Sequence, residues 1–192
     1  MSKKRRKFTT KLNKPNPEHK ISELILRYII LLGLSFPGLI LFYKIFTPLT
    51  VYPVYFILSL FYDAVLLTKT TILIEGLVPI EIIGACIAGS AYSLLLILNL
   101  STPNINLSKR VNAILFSFLA FLILNILRIV VLSIMAISGS SFFNVAHELF
   151  WYGLSTLIVV LIWFSEVKLF DIKKIPLYSD LKTIYKLSHF SR

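Results

Sequence analysis

The chain alternates long apolar runs with short polar breaks, and most of the runs have helical length. After a polar start at residues 1–20, residues 21–46 are apolar apart from Arg27 and the Pro37-Gly38 step. That pattern predicts one helix kinked at Pro37. Residues 47–67 form a second, shorter apolar stretch that carries Pro53, Asp63 and the aromatic residues Tyr52, Tyr55, Phe56 and Tyr62. Residues 69–83 change character. β-Branched side chains dominate and Glu75-Gly76 is a turn signal, so an extended or hairpin-like segment is expected. Residues 84–100 and 111–137 read as helices, separated by a polar loop with Pro103, Asn104 and Asn106. Ser138-Gly139-Ser140-Ser141 is a tight link, residues 142–164 are a last apolar helix, and a basic tail begins at Ser165.

Composition turns this pattern into a class. Of 192 residues, 57% are hydrophobic, and the mean hydropathy is +0.82. A soluble domain of this size does not carry that much apolar surface, and a bilayer crossing needs roughly 20 apolar residues. The expected fold is an all-α integral membrane protein with four to five transmembrane helices, a re-entrant or interfacial helix and a short external β-like segment. Its expected parts are a basic cytoplasmic segment at 1–20, a membrane-embedded domain at 21–168 and a basic cytoplasmic tail at 169–192. The start has no apolar core of the cleaved-signal kind, so the first helix is expected to serve as an uncleaved anchor.

Charge orients the helices. The net charge of +11 comes mostly from the two ends, including Lys3, Lys4, Arg5, Arg6, Lys7, Lys173 and Lys174. Beside membrane helices these residues read as positive-inside anchors to anionic lipid rather than as a nucleic-acid surface. With both ends and Lys109-Arg110 cytoplasmic, the helix 111–137 runs outward and the helix at 84–100 begins outside. Arg128 lies ~27 Å along its helix from Arg110 at 1.5 Å per residue. In a core ~30 Å thick that is the outer half. If 21–46 and 47–67 both crossed, residue 86 would begin inside. Residues 47–67 are therefore expected to lie re-entrant or flat at the outer interface.

Three side chains stand out against this apolar background. Cys86 is the only cysteine, which excludes an intramolecular disulfide and a Cys-rich metal site. Gly84, Ala85, Ala88 and Gly89 around it suit close helix packing, the bland reading of a free cysteine. The chemical reading is a nucleophile at a helix N-terminus, where free amides would hold a developing oxyanion. Arg128 sits inside an apolar run, where a charge usually faces the protein interior or water. Asn125, three residues earlier, is placed to accept from it, and Glu81 or Glu148 is a possible ion partner. His147 opens the last apolar run, and His19 and His189 lie in the polar ends. Imidazole is the usual partner that activates a thiol and later protonates a leaving amine. Glu148 and Glu81 are candidate groups to orient its ring. No metal or organic cofactor is implied.

Cys86 in Ala85-Cys86-Ile87-Ala88-Gly89, Arg128 in Asn125-Ile126-Leu127-Arg128 and His147 before the last helix, in that order, resemble the exosortase/archaeosortase family. These are membrane-embedded, sortase-like transpeptidases, and the resemblance covers roughly residues 47–165. It implies Cys86 as nucleophile, Arg128 as transition-state stabiliser and His147 as acid/base partner. The chain departs from the family's usual Cys-Ser-Gly or Cys-Thr-Gly, with an extra residue and no hydroxyl after Cys86. The expected function is cleavage of C-terminal sorting signals at the outer face of the cell membrane, followed by transfer to a lipid or other amine acceptor. The expected substrates carry a C-terminal motif, a transmembrane helix and a basic tail. The alternative is a non-catalytic membrane scaffold or partner subunit in which Arg128 is a structural contact.

Overall fold

The computed structural model describes residues 17–102 and 105–172. Helix α1 (Pro17–Ser59) runs unbroken through both Pro37 and Pro53. A proline removes one backbone donor, and the flanking turns carry such a helix onward. The division expected at residue 47 is not found, and 47–67 is neither a re-entrant nor a separate interfacial piece. Residues 47–59 continue α1, with the Thr47 hydroxyl donating to the Tyr43 carbonyl at 2.6 Å and so kept within the helix. Residues 17–20 belong to α1, while the rest of the basic N-terminal segment and the tail beyond residue 172 lie outside the described residues.

Three short antiparallel strands follow in the order β1 (Ala64–Leu66), β2 (Thr71–Ile74), β3 (Val78–Glu81). The β2–β3 hairpin is the one expected within 69–83. It turns at Glu75 (φ 51°) and Gly76 (φ 68°), the left-handed geometry that matches strand twist. Strand β1 comes from the end of the stretch 47–67, expected to be a re-entrant or interfacial helix. Ile72 and Ile74 of β2 and Ile82, just past β3, are buried in one core with Val51, Val54 and Leu58 of α1. The sheet therefore rides on the last turns of α1.

The remaining described residues are mainly helical: α2 (Gly84–Ile87), α3 (Gly89–Ser101), α4 (Leu107–Ile137), α5 (Phe143–Leu149) and α6 (Ser155–Leu169). A left-handed Ala88 (φ 55°) joins α2 to α3, and a π turn (Phe150–Leu154) joins α5 to α6. Gly139 (φ 61°) ends α4: its amide reaches the Ala136 carbonyl and that of Ser140 reaches Met135. Those paired bonds satisfy carbonyls that the helix end would otherwise orphan.

Phe42 and Phe46 of α1, Tyr92 of α3 and Phe118 and Phe121 of α4 form the aromatic centre of the bundle. The Phe46 and Tyr92 rings stack at 3.7 Å, and Phe121 meets Tyr92 edge-on at 4.9 Å. At one end of the bundle, Arg110 donates to the carbonyls of Asn99, Leu100 and Thr102 at 2.8–3.0 Å, capping α3. Near it the buried Glu166 accepts from Asn99 Nδ2 at 3.0 Å and from the Ser117 hydroxyl. The outward surface is apolar, with Ile40, Leu41, Leu115, Leu119 and Phe164 all exposed. Among the described residues, three helical stretches are long and apolar enough to cross a bilayer: Leu39–Ser59, Gly84–Ser101 and Leu107–Ile137.

Candidate active site

Cys86 lies in the single turn α2, not at the start of a long helix. Its amide donates to the Ile83 carbonyl at 2.8 Å, and the Ile87 amide shares that acceptor at 3.3 Å. The turn thus uses two of the amides around the sulfur for itself. Two long-range contacts fix the turn in place. Asn125 Nδ2 donates to the Cys86 carbonyl at 2.7 Å, tying α2 to α4. The Tyr43 ring of α1 packs over the α-carbons of Gly84 and Gly89 on either side.

Asn125 therefore serves the cysteine and not the arginine. Its Oδ1 is buried and has no hydrogen-bond partner. Arg128, 6% exposed, donates from Nη1 to the Ser155 hydroxyl at 3.0 Å. Its guanidinium carbon stands 5.9 Å from the centre of the Phe150 ring. Ser155 in turn donates to the Phe150 carbonyl five residues back, at 2.5 Å, across the π turn. The widened turn thus brings a hydroxyl and an aromatic face to the same cation; such bulges are frequent at functional sites. The expected pairing of Arg128 with Glu81 or Glu148 is not found. Glu148 points outward, Glu81 stands at the sheet edge, and no carboxylate among the described residues reaches the guanidinium. Arg128 Nε is left without a partner.

Two cavities meet at Arg128. One, of about 220 Å³, is walled by β3, α4 and α5 and includes Cys86, Arg128, His147 and Glu81. The other, of about 390 Å³, opens between α1, α3 and α6 beside Ala85, Ala88 and Ser155. His147 sits on the second turn of α5, its ring stacked on Phe143 at 5.7 Å and 18°. Cys86, Arg128 and His147, read from three separate apolar segments, thus line one small cavity. Glu148 is not part of its walls.

Chemically, this wall carries a thiol, an imidazole and a guanidinium with one unused N–H. A carbonyl group held in this cavity would share it with a thiol, a cation and an imidazole. Residues that sequence reasoning missed hold this set together: Tyr43, Phe150 and Ser155. Phe150 and Ser155 gave no local signal, because a π turn and an Arg–Ser contact 27 positions apart leave no periodic trace. Tyr43 did leave one: glycines on either side of a cysteine invite a ring to lie against the backbone. No family model, no curated protein and no solved structure matches this chain.

Proposed function

We propose that the chain is a membrane-embedded cysteine transpeptidase that cleaves exported proteins near the outer membrane surface. The observation that carries this reading is the cavity shared by Cys86, Arg128 and His147. In the proposed reaction His147 takes the thiol proton and Cys86 sulfur attacks the peptide carbonyl. The oxyanion that forms is stabilised by Arg128 Nε. His147 then delivers the proton to the departing amine as the C–N bond breaks, leaving a thioester on Cys86. An amine acceptor, such as a lipid headgroup, attacks the thioester, and the thiol is restored with a proton returned through His147.

Three long apolar stretches, in α1, α2–α3 and α4, support the membrane reading, and the proposed topology adds the α5–α6 pair as a fourth pass. An even number of crossings puts both basic ends on one side, in keeping with the positive-inside tendency. With α1 undivided, the helix that follows the sheet begins outside without any re-entrant segment. The sheet has open edges, which hydrocarbon does not tolerate. It belongs at the surface, next to the thiol and opposite the Arg110 end. The substrate class that fits is an exported protein with a short motif, a membrane helix and a basic tail. A non-catalytic scaffold draws support from Ser155 and Phe150, which hold Arg128 as a structural contact would. It leaves the unused Nε without a purpose.

The test is Cys86→Ala expressed in the native host, with the C-termini of exported and membrane proteins compared by mass spectrometry. Loss of trimmed C-termini at unchanged enzyme abundance is expected; trimming that persists in the variant overturns the reading.

A further inference from the structure

The cavity beneath the sheet is lined by residues 78–82 without a gap. Side chains alternate across a strand, so a cavity under one face would touch every second residue. Contact with five in a row means that this cavity runs along the edge of β3. That edge is open, because β3 pairs only with β2 in a sheet ordered β1-β2-β3. The Ile82 amide donates to the Thr70 carbonyl at 2.8 Å, which makes that pair hydrogen-bonded. In an antiparallel ladder the hydrogen-bonded pairs alternate with open ones. From the register Ile80↔Ile72 and Val78↔Ile74, the main-chain groups of Pro79 and Glu81 point away from β2. Pro79 places its missing N–H on this side, the position where a strand proline is tolerated. The edge therefore offers the Pro79 carbonyl and both main-chain groups of Glu81.

Beyond Glu81 the chain turns into α2, so the edge leads to Cys86. The opposite wall is mostly apolar, with Ile129, Leu132 and Ala136 of α4 and Phe143 of α5, and Ser133 and His147 as its polar members beside Arg128. Arg128, 6% exposed, lines the same space with its Nε unpartnered. An exposed edge beside a mostly apolar wall is the arrangement by which peptides are captured as an added strand.

The geometry points to the open edge of β3 as the docking site for an extended peptide that adds to the sheet as a fourth strand, with its end at Cys86. This rests on the proposed function and deepens it: the segment beside the scissile bond is recognised through alternate backbone amides and alternate apolar side chains. Pairing is short, limited by Pro79 to the few groups nearest the thiol.

The test uses the full chain in lipid nanodiscs with acetyl-tetra-alanyl vinyl sulfone as probe. Its alkene takes the Cys86 sulfur at the β-carbon and the thiol proton at the α-carbon. N-Ethylmaleimide serves as the thiol reagent with no peptide. Mono-N-methylated versions of the probe remove one donor at a time while the protein stays unaltered. Alternate methyl positions are expected to slow labelling about tenfold, the intervening ones little, because each blocked bond strands a carbonyl on the strand edge. In Glu81→Pro the ratio of peptide to maleimide labelling is expected to fall by a similar factor of about ten. Uniform tolerance or uniform loss across the methyl series overturns strand addition while leaving the proposed function standing. A Cys86 inert to both reagents overturns the function, and this inference with it.

Discussion

Gly89 is the position where the structure makes its sharpest energetic statement about how Cys86 is held. A methyl group added there would lie 3.0 Å from Tyr43 Cζ, 3.1 Å from Cε1 and 3.3 Å from Cε2. All three contacts are to one rigid ring, so relief requires the ring or the start of α3 to move. At Gly84 the nearest ring atom would be 3.6 Å away, an ordinary contact. Alanine is intrinsically better than glycine in a helix by about 0.5–1 kcal/mol. Overpacking costs about 1–3 kcal/mol. Gly84→Ala should therefore be neutral or slightly stabilising, and Gly89→Ala should cost a net of about 1–2 kcal/mol. Removing the ring with Tyr43→Ala should abolish the overpacking and leave only alanine's helix preference, giving a coupling of about 1–3 kcal/mol in the double-mutant cycle. Unfolding in mixed micelles measures the stabilities, and maleimide labelling of Cys86 reports the displacement of its turn. Equal effects at the two glycines, or a Gly89→Ala cost that survives in Tyr43→Ala, would refute the ring-on-backbone account.

Three other substitutions test separate contacts. Glu166→Gln keeps an oxygen acceptor for Asn99 and Ser117 and should melt close to the parent, whereas Glu166→Ala removes one buried acceptor from each, leaving Asn99 with the Leu95 carbonyl and Ser117 with the Ala113 carbonyl, and should cost about 1–3 kcal/mol; matching melting curves for the two would exclude the network as a stabilising element. Arg128→Lys retains charge, but its single nitrogen cannot stand both at Ser155 and at the position of Nε, so processing should fall at least about tenfold; full activity would remove Nε from the mechanism. Asn125→Ala releases the Cys86 carbonyl and should cost about 1–2 kcal/mol, with a larger fractional loss of processing than of folded protein; a proportionate loss would make Asn125 merely structural.

The helices were legible where one physical signal dominated. The apolar run at 111–137 lies within α4, and the β-branched run at 69–83 contains the hairpin, turned at Glu75-Gly76 as read. The run at 84–100 was also found, but the left-handed Ala88 that divides it gave no warning, since alanine favours continuation. The division expected at residue 47 rests on the parity of crossings, with the tyrosines, Asp63 and the shortness of 47–67 taken as marks of an interfacial piece. A long apolar helix absorbs prolines, and packing of the sheet against Val51, Val54 and Leu58 holds its upper turns. For the site, residue type and order marked Cys86, Arg128 and His147 as candidates. Their supports were hidden because they depend on three-dimensional contact: Asn125 on a carbonyl from another helix, Arg128 on a hydroxyl displaced by a π turn. Arg110 was read only as a topological charge, and it also caps the end of α3.

The most direct test of the account is the chemical state of Cys86 during turnover. Enzyme isolated with its peptide substrate in detergent, away from membrane acceptors, is digested and the Cys86 peptide is weighed. The account predicts an acyl group on the sulfur that neutral hydroxylamine removes, with a mass that matches the new C-terminus of the cleaved substrate. Cleavage that proceeds while Cys86 remains a free thiol throughout would contradict it.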